Sequence, residues 1–72
     1  MSAPSIYLDA VAAGIPVDHH ESDLYMLATP ESRALVAKHG LWATPFKSHV
    51  DGKAWLDVPF AYDPFWEARA AQ

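Results

Sequence analysis

The chain has 72 residues, of which 51% are hydrophobic and 12% aromatic, a composition that excludes an intrinsically disordered protein. It contains no cysteine, which excludes a disulfide scaffold and a thiolate metal site. Nine Asp and Glu oppose five Lys and Arg, and the resulting net charge of −4 disfavours binding to phosphates. Such a charge is typical of a soluble small domain, and it also suits a partner with a basic surface.

These properties predict one compact domain over residues 1–72, with its core at about residues 4–69. No apolar run approaches the roughly 20 residues that a membrane span needs. Residues 1–14 have no basic residue of the kind that a secretory signal carries. Together with the lack of cysteine, this predicts a cytoplasmic protein.

The first predicted element is a helix at residues 4–13. Ser5 or Ser2 stands where a serine caps the N-terminus of a helix. Gly14 stands where a helix ends on a residue in the left-handed conformation. The sequence therefore marks both ends of this helix.

A polar run at residues 18–23 follows, and we expect a solvated loop there. Residues 24–27 then predict a strand, in which Leu24 and Met26 share one face because side chains alternate along a strand.

The second helix is the best marked element of the sequence. Thr29 is a suitable N-cap, Pro30 fits the first helical position, and Glu31 suits the positive end of the helix dipole. Gly40 ends the helix after residue 39.

Two runs of strand-forming residues flank an Asp-Gly pair at residues 51–52, which predicts a hairpin. A two-residue loop would pair Phe46 with Asp57. A three-residue loop pairs Phe46 with Leu56 instead. We favour the three-residue loop because it keeps Phe46, Leu56 and Val58 on one apolar face.

A last helix is predicted at residues 65–69, after Asp63 and Pro64, and Pro59 ends the strand before it. The expected fold class is therefore α+β, in the order α-β-α-β-β-α. We expect a three-stranded antiparallel sheet with the helices packed on one face.

One candidate site is a metal site at His19, His20 and Asp23, since imidazole and carboxylate bind zinc. Adjacent His side chains in an extended segment point in opposite directions, and their spacing matches no zinc motif. We therefore expect no metal and no cofactor. With no nucleophile elbow and no Gly-rich loop, we expect no catalytic residues and a protein that is not an enzyme.

A second candidate is a nucleic-acid site. Lys47, Lys53 and Trp55 would share an outer sheet face with Tyr25, which combines positive charge with rings on which bases stack. Only two lysines supply the charge, so we hold this as an alternative and expect no direct nucleic-acid binding.

The third candidate is an acidic partner-binding face. Several carboxylates gathered on one surface would imitate the spaced charges of a nucleic-acid backbone and dock on a basic channel. The residues predicted to form this face are Asp18, Glu21, Asp23, Glu31 and Asp57.

The segment 55–66 contains five aromatic residues. Such rings either close a small core or form a partner-binding patch, since Trp and Tyr are common in interface hot spots. The sequence favours the core without excluding the patch for individual rings.

Four motifs, HESDLY at 20–25, ATPESRA at 28–34, DGK at 51–53 and WLDVPF at 55–60, resemble a family of very small proteins encoded by phages and prophages. The resemblance covers the chain from about residue 18 to residue 69. This compact, acidic pattern is similar in type to that of anti-CRISPR proteins, which inhibit CRISPR-Cas complexes by binding them.

The resemblance implies a phage or mobile-element inhibitor of a bacterial defence system, acting in the cytoplasm of the host cell. The implied partner is a CRISPR-Cas effector subunit with a basic surface, whose binding to nucleic acid would be blocked. We expect a monomer rather than a dimer. No functional residue is transferred from the family.

Overall fold

The computed structural model describes residues 5–70, apart from the side chains of Glu67, Arg69 and Ala70. The helices are α1 (Ile6–Ala12), α2 (Pro30–Lys38) and α3 (Pro64–Ala70). The strands are β1 (Val17–His20), β2 (Asp23–Leu27), β3 (Thr44–Lys47) and β4 (Ala54–Val58). They form one antiparallel sheet in the order β1-β2-β4-β3.

The predicted α+β class with an antiparallel sheet is confirmed, but the sheet has four strands and not three. The chain order is α-β-β-α-β-β-α. The missing strand is β1, in which residues 18–20 belong to the run that we expected to be a loop. Its residues are mostly polar and exposed because it is an edge strand, so they lack the apolar alternation of a half-buried strand.

The hairpin between β1 and β2 also lacks the usual sequence signal. His20 pairs with Asp23, so Glu21 and Ser22 form the turn. Glu21 takes the left-handed conformation, with φ 54°. Tight hairpin turns require this conformation and usually take it with Gly or Asn, which explains why the turn was not predicted.

Ser5 and Gly14, the residues predicted to mark the ends of α1, do so in the structure. The Ser5 Oγ accepts hydrogen bonds from the backbone N–H of Tyr7 at 3.1 Å and of Leu8 at 3.5 Å. Gly14 has φ 74°, and the N–H of Ile15 donates to the carbonyl of Ala10. The other candidate cap, Ser2, and the predicted first residue of the helix, Pro4, lie outside the described residues.

Helix α2 begins with a reciprocal cap. The Thr29 side chain accepts from the N–H of Ser32 at 3.0 Å, and Ser32 Oγ accepts from the N–H of Thr29 at 2.9 Å. Pro30 is the first helical residue, as predicted. Gly40 ends the helix with φ 66°, a conformation that costs glycine little.

The predicted register of the β3–β4 hairpin is wrong by one residue. Phe46 pairs with Trp55, not with Leu56 or Asp57. The Ser48 N–H donates to the carbonyl of Lys53, so the loop holds four residues. Since a shift of one residue moves a side chain to the other face, Phe46 lies on the opposite face of the sheet from Leu56.

The core lies between one face of the sheet and the first two helices. Leu24 and Met26 of β2 share this face with Leu56 and Val58 of β4, and none of the four is more than 3% exposed. The residues that complete the buried cluster come mainly from the helices and loops: Ile6, Ala10, Ile15, Val36 and Tyr62. Helix α3 contacts α1.

Helix α3 begins as predicted, with Asp63 Oδ1 accepting from the N–H of Phe65 at 2.9 Å and Pro64 in the first position. No helix within residues 5–70 has both the length and the apolar character needed to cross a membrane.

Candidate functional site

The face of the sheet turned away from the core is called the outer face here. Because side chains alternate along a strand, the burial of Leu24 and Met26 directs Asp23, Tyr25 and Leu27 to this face. The register then adds side chains from the neighbouring strands. In one row across the sheet, Asp18, Tyr25, Asp57 and Thr44 lie side by side, and in the next row Leu27, Trp55 and Phe46 do so.

Carboxylates gather around Tyr25 in the middle of this face. Partial burial raises the pKa of the Tyr25 hydroxyl above its ordinary value of 10.0. Four negative charges raise it further, and in order of decreasing effect they belong to Asp57, Asp23, Asp18 and Glu21. The cause of this part of the shift is that a negative tyrosinate is disfavoured near negative groups.

The carboxyl group of Asp57 is partly buried between the neighbouring strands. Burial raises its pKa above 3.8, and the hydrogen bond and the charge of the neighbouring Asp23 raise it further. Its Oδ1 atom is buried and has no hydrogen-bond partner among the described residues. Asp57 is therefore harder to ionise than an aspartate exposed to solvent.

The structure brings together four of the five residues predicted to form an acidic face. Asp18, Asp23 and Asp57 lie on the outer face, and Glu21 lies in the turn at the end of β1. Glu31 is separate from them, since it is an exposed residue in the first turn of α2. The four gathered residues, Asp18, Glu21, Asp23 and Asp57, are called the acidic cluster below.

The other half of the outer face is aromatic. The rings of Tyr25 and Phe46 meet edge to face, with centroids 5.0 Å apart and planes at 62°. The indole N–H of Trp55 donates to the carboxylate of Asp51, at 3.0 Å to Oδ2 and 3.2 Å to Oδ1. Asp51 also accepts from the backbone N–H of Lys53 at 2.9 Å. These bonds fix the Trp55 ring and fasten the β3–β4 loop to it.

These rings line an open groove of about 470 Å³ on the outer face. Asp18 borders it on the side of β1, and Asp51 and Val50 border it on the side of the loop. The sequence did not indicate the groove, because the predicted register placed Phe46 in the core. The available signal was Asp51, which stands four residues before Trp55 and reaches it across the loop.

The metal hypothesis is not supported by the placement of the two histidines. His19 pairs with Leu24, whereas His20 pairs with Asp23, so they lie on opposite faces of β1. The His19 ring stacks on Tyr62, with centroids 3.8 Å apart and planes 3° apart. Among residues 5–70, no three His, Asp or Glu are grouped as ligands for a metal ion.

The structure brings together only some of the residues of the predicted nucleic-acid site. Trp55 and Tyr25 share the outer face as predicted, but Lys47 pairs with Ala54 and not with Trp55. Lys53 lies just before β4, in the loop next to Asp51. Since carboxylates surround Tyr25, the electrostatic setting of these rings opposes a polyanion.

The aromatic residues of segment 55–66 divide between core and surface. Tyr62 is buried, and its ring meets that of Tyr7 edge to face at 5.7 Å. Phe60 and Phe65 are 87% and 78% exposed. Phe60 also has φ 58°, a conformation that is rare for a bulky residue.

Comparison with protein-family models, with curated proteins and with solved structures finds no match to this chain. The class that fold and site define is a small α+β domain with helices covering one face of the sheet and an acidic, aromatic outer face.

Proposed function

We propose that this protein acts by binding, and that the acidic cluster docks on a basic protein surface of the kind that holds nucleic acid. In line with the resemblance to anti-CRISPR proteins, the proposed partner is a subunit of a CRISPR-Cas effector complex. The protein would be a phage or mobile-element inhibitor that keeps nucleic acid out of that complex. The observation that supports this proposal is the strand register, which places Asp18 and Asp57 on either side of Tyr25, with Asp23 on the same face.

Gathering these carboxylates on one face costs free energy in the unbound protein. Like charges close together repel, and a partly buried carboxylate such as Asp57 loses hydration. Neither effect helps a free monomer to fold. Lysine and arginine side chains of a partner would neutralise the cluster, supply hydrogen-bond donors to the carboxylate oxygens and accelerate association over long distances.

Under this proposal the protein needs neither catalysis nor a cofactor, and it acts as a monomer. Inhibition is competitive: the acidic cluster occupies a basic channel that otherwise holds phosphates. Binding should therefore weaken as salt is added, because exposed charges are screened over about 10 Å at 0.1 M salt.

The test is a binding and competition experiment with purified CRISPR-Cas effector complexes and two matched variants. Asp18→Lys and Glu31→Lys change the net charge equally, and both residues are exposed, but only Asp18 belongs to the acidic cluster. Asp18→Lys should weaken binding by about tenfold, whereas Glu31→Lys should change it much less. Circular dichroism checks that both variants are folded.

Equal effects of the two substitutions would show that net charge alone governs binding and would contradict a docking site at the acidic cluster. An effector complex that binds the wild-type protein yet still takes up its target DNA would contradict competitive inhibition. If no effector complex binds the wild-type protein, the proposed class of partner is wrong.

A further inference from the structure

We infer that the aromatic groove on the outer face receives a cationic side chain of the partner, and that this side chain is an arginine. The inference rests on the proposed function, because it takes the partner to be a basic protein, and it deepens that function by naming the group that is recognised. The groove adjoins the acidic cluster through Tyr25 and Asp18, which belong to its lining.

The first support is the arrangement of the rings. Tyr25 and Phe46 stand at 62° to each other, and Trp55 lies next to Phe46 in the register. All three residues line the groove. A cation within about 6 Å of several ring centroids is attracted to each of them.

The second support is that the groove is already shaped without a ligand. The hydrogen bonds from Trp55 to Asp51 fix the indole ring, and the bond from the Lys53 N–H fixes Asp51. Tyr25 and Phe46 are both half-buried, so neighbouring side chains restrict their rotamers. A preformed site loses less entropy when it binds.

The third support is charge. Asp18 lies at one side of the groove and Asp51 at the other, and the rest of the acidic cluster lies beyond Tyr25. Lys47 also lines the groove, on the exposed edge strand β3. Because its positive charge repels a cation, we expect the guanidinium to lie towards Asp18 and away from Lys47. Carboxylates above an aromatic surface complement a guanidinium, which stacks with its plane and donates with its edge.

Arginine fits these features better than other occupants of a basic interface. Its guanidinium is planar and weakly hydrated, whereas a lysine ammonium is compact and strongly hydrated. A single-stranded nucleic acid would also stack on the rings, but its phosphates would meet the carboxylates of the acidic cluster. The volume of about 470 Å³ lies within the range of small-ligand pockets, which is about 300–1,000 Å³.

The experiment uses the full chain and peptides of equal length made of arginine, lysine or citrulline. Citrulline keeps the shape of arginine without its charge. We expect the arginine peptide to bind more tightly than the lysine peptide, and the citrulline peptide to bind least. In an ¹⁵N–¹H spectrum the Trp55 indole signal, assigned with Trp55→Phe, should shift on addition of the arginine peptide.

Phe46→Leu removes one ring while keeping an apolar side chain, and it should weaken arginine-peptide binding by about two- to thirtyfold with a smaller effect on the lysine peptide. Trp42→Phe is the control, since Trp42 is 69% exposed and does not belong to the groove lining. The comparison of the three peptides on the wild-type protein needs no substitution, so it remains decisive if a variant fails to fold.

Equal binding of the arginine and lysine peptides, with no shift of the Trp55 indole signal, would overturn this inference but leave docking through the acidic cluster intact. The same holds if a single-stranded oligonucleotide shifts that signal and the arginine peptide does not. If Asp18→Lys fails to weaken binding to the effector complex, the proposed function fails instead, whatever the peptides show.

Discussion

Asp23 and Asp57 lie on neighbouring strands of the outer face, and Asp23 opposes the ionisation of Asp57. Burial is the larger cause of the raised pKa of Asp57, and the hydrogen bond and charge of Asp23 add to it. The unfolded chain has neither cause. The folded protein therefore holds a proton at Asp57 more tightly than the unfolded chain does, and this determines how Asp57 affects stability.

Asp57→Asn should stabilise the protein at neutral pH. Since the pKa of Asp57 is higher in the folded state, its ionisation lowers the free energy of unfolding as pH rises from about 3.8 through the raised value. An asparagine avoids this ionisation and should raise the free energy of unfolding at pH 7 by about 0.5–2 kcal/mol, the usual gain from such replacements. Urea unfolding at several pH values measures the effect.

The stabilising effect of Asp57→Asn should shrink below pH 3.8, where Asp57 is protonated in both states. Asp18→Asn is the control, because Asp18 is an exposed member of the acidic cluster. A loss of stability at pH 7 in Asp57→Asn would show that the ionised carboxylate of Asp57 does not destabilise the folded state.

The hydrogen bond between Asp9 of α1 and His39 at the end of α2 should have the opposite pH dependence. His39 Nε2 lies 2.7 Å from Asp9 Oδ2, and this hydrogen bond is the main cause of a lowered pKa at Asp9. Such a group stabilises the fold above pH 3.8 and loses this effect as pH falls through the lowered value. Asp9→Asn should cost about 1 kcal/mol at pH 7 and little in strong acid, as measured by urea unfolding.

Lys38→Met is the matched control for this prediction. Lys38 Nζ is 3.7 Å from the same Asp9 oxygen, but its side chain is 67% exposed. An exposed pair of this kind contributes at most about 1 kcal/mol and commonly less. If Lys38→Met costs as much as Asp9→Asn, the hydrogen bond from His39 is not the main link between the helices.

Ser32→Ala should be among the more damaging single-atom deletions. Ser32 is fully buried, and its Oγ lies 2.8 Å from the carbonyl oxygen of Leu27 while accepting from the N–H of Thr29. Alanine would leave both backbone groups without this partner, at a cost of about 1–3 kcal/mol. Thermal unfolding measures the loss. Ser22→Ala, at an exposed turn residue, should be nearly neutral, and equal losses would contradict the argument.

Phe60→Gly should stabilise the fold although it removes a large side chain. Phe60 is 87% exposed, so little burial is lost, and its φ of 58° strains any residue with a Cβ atom. Relief of this strain should raise the free energy of unfolding by about 0.5–1 kcal/mol after the entropy cost of glycine. Phe60→Ala keeps the strain and is the control; a similar gain in Phe60→Ala would show that the backbone is not its source.

The sequence predicts elements best where side chains act on their own backbone. Ser5, Thr29 and Gly40 each mark a helix end through a local hydrogen bond or conformation, and their effect does not depend on the rest of the fold. Strand β1 was missed because the sequence of this edge strand has no alternating apolar residues. Its pairing with β2 holds it in the sheet instead.

The register of β3 and β4 was predicted wrongly because the contact between Asp51 and Trp55 was not recognised from their spacing. Asp51 binds the Trp55 indole across a four-residue loop, and this loop turns Phe46 to the outer face. The two halves of the candidate site also differ in whether they could be predicted from local sequence. Asp18, Glu21 and Asp23 were predicted because they lie close together in the sequence, whereas the groove required the register.

The most direct test of the central claim is to map the surface that contacts a basic polypeptide. Backbone ¹⁵N–¹H signals of the full chain would be followed as the arginine peptide is added. The account predicts shifts at Asp18, Asp23, Tyr25, Trp55 and Asp57, with little change in α2 around Glu31. Shifts concentrated on α2, or spread evenly over both faces of the sheet, would contradict a binding surface at the outer face.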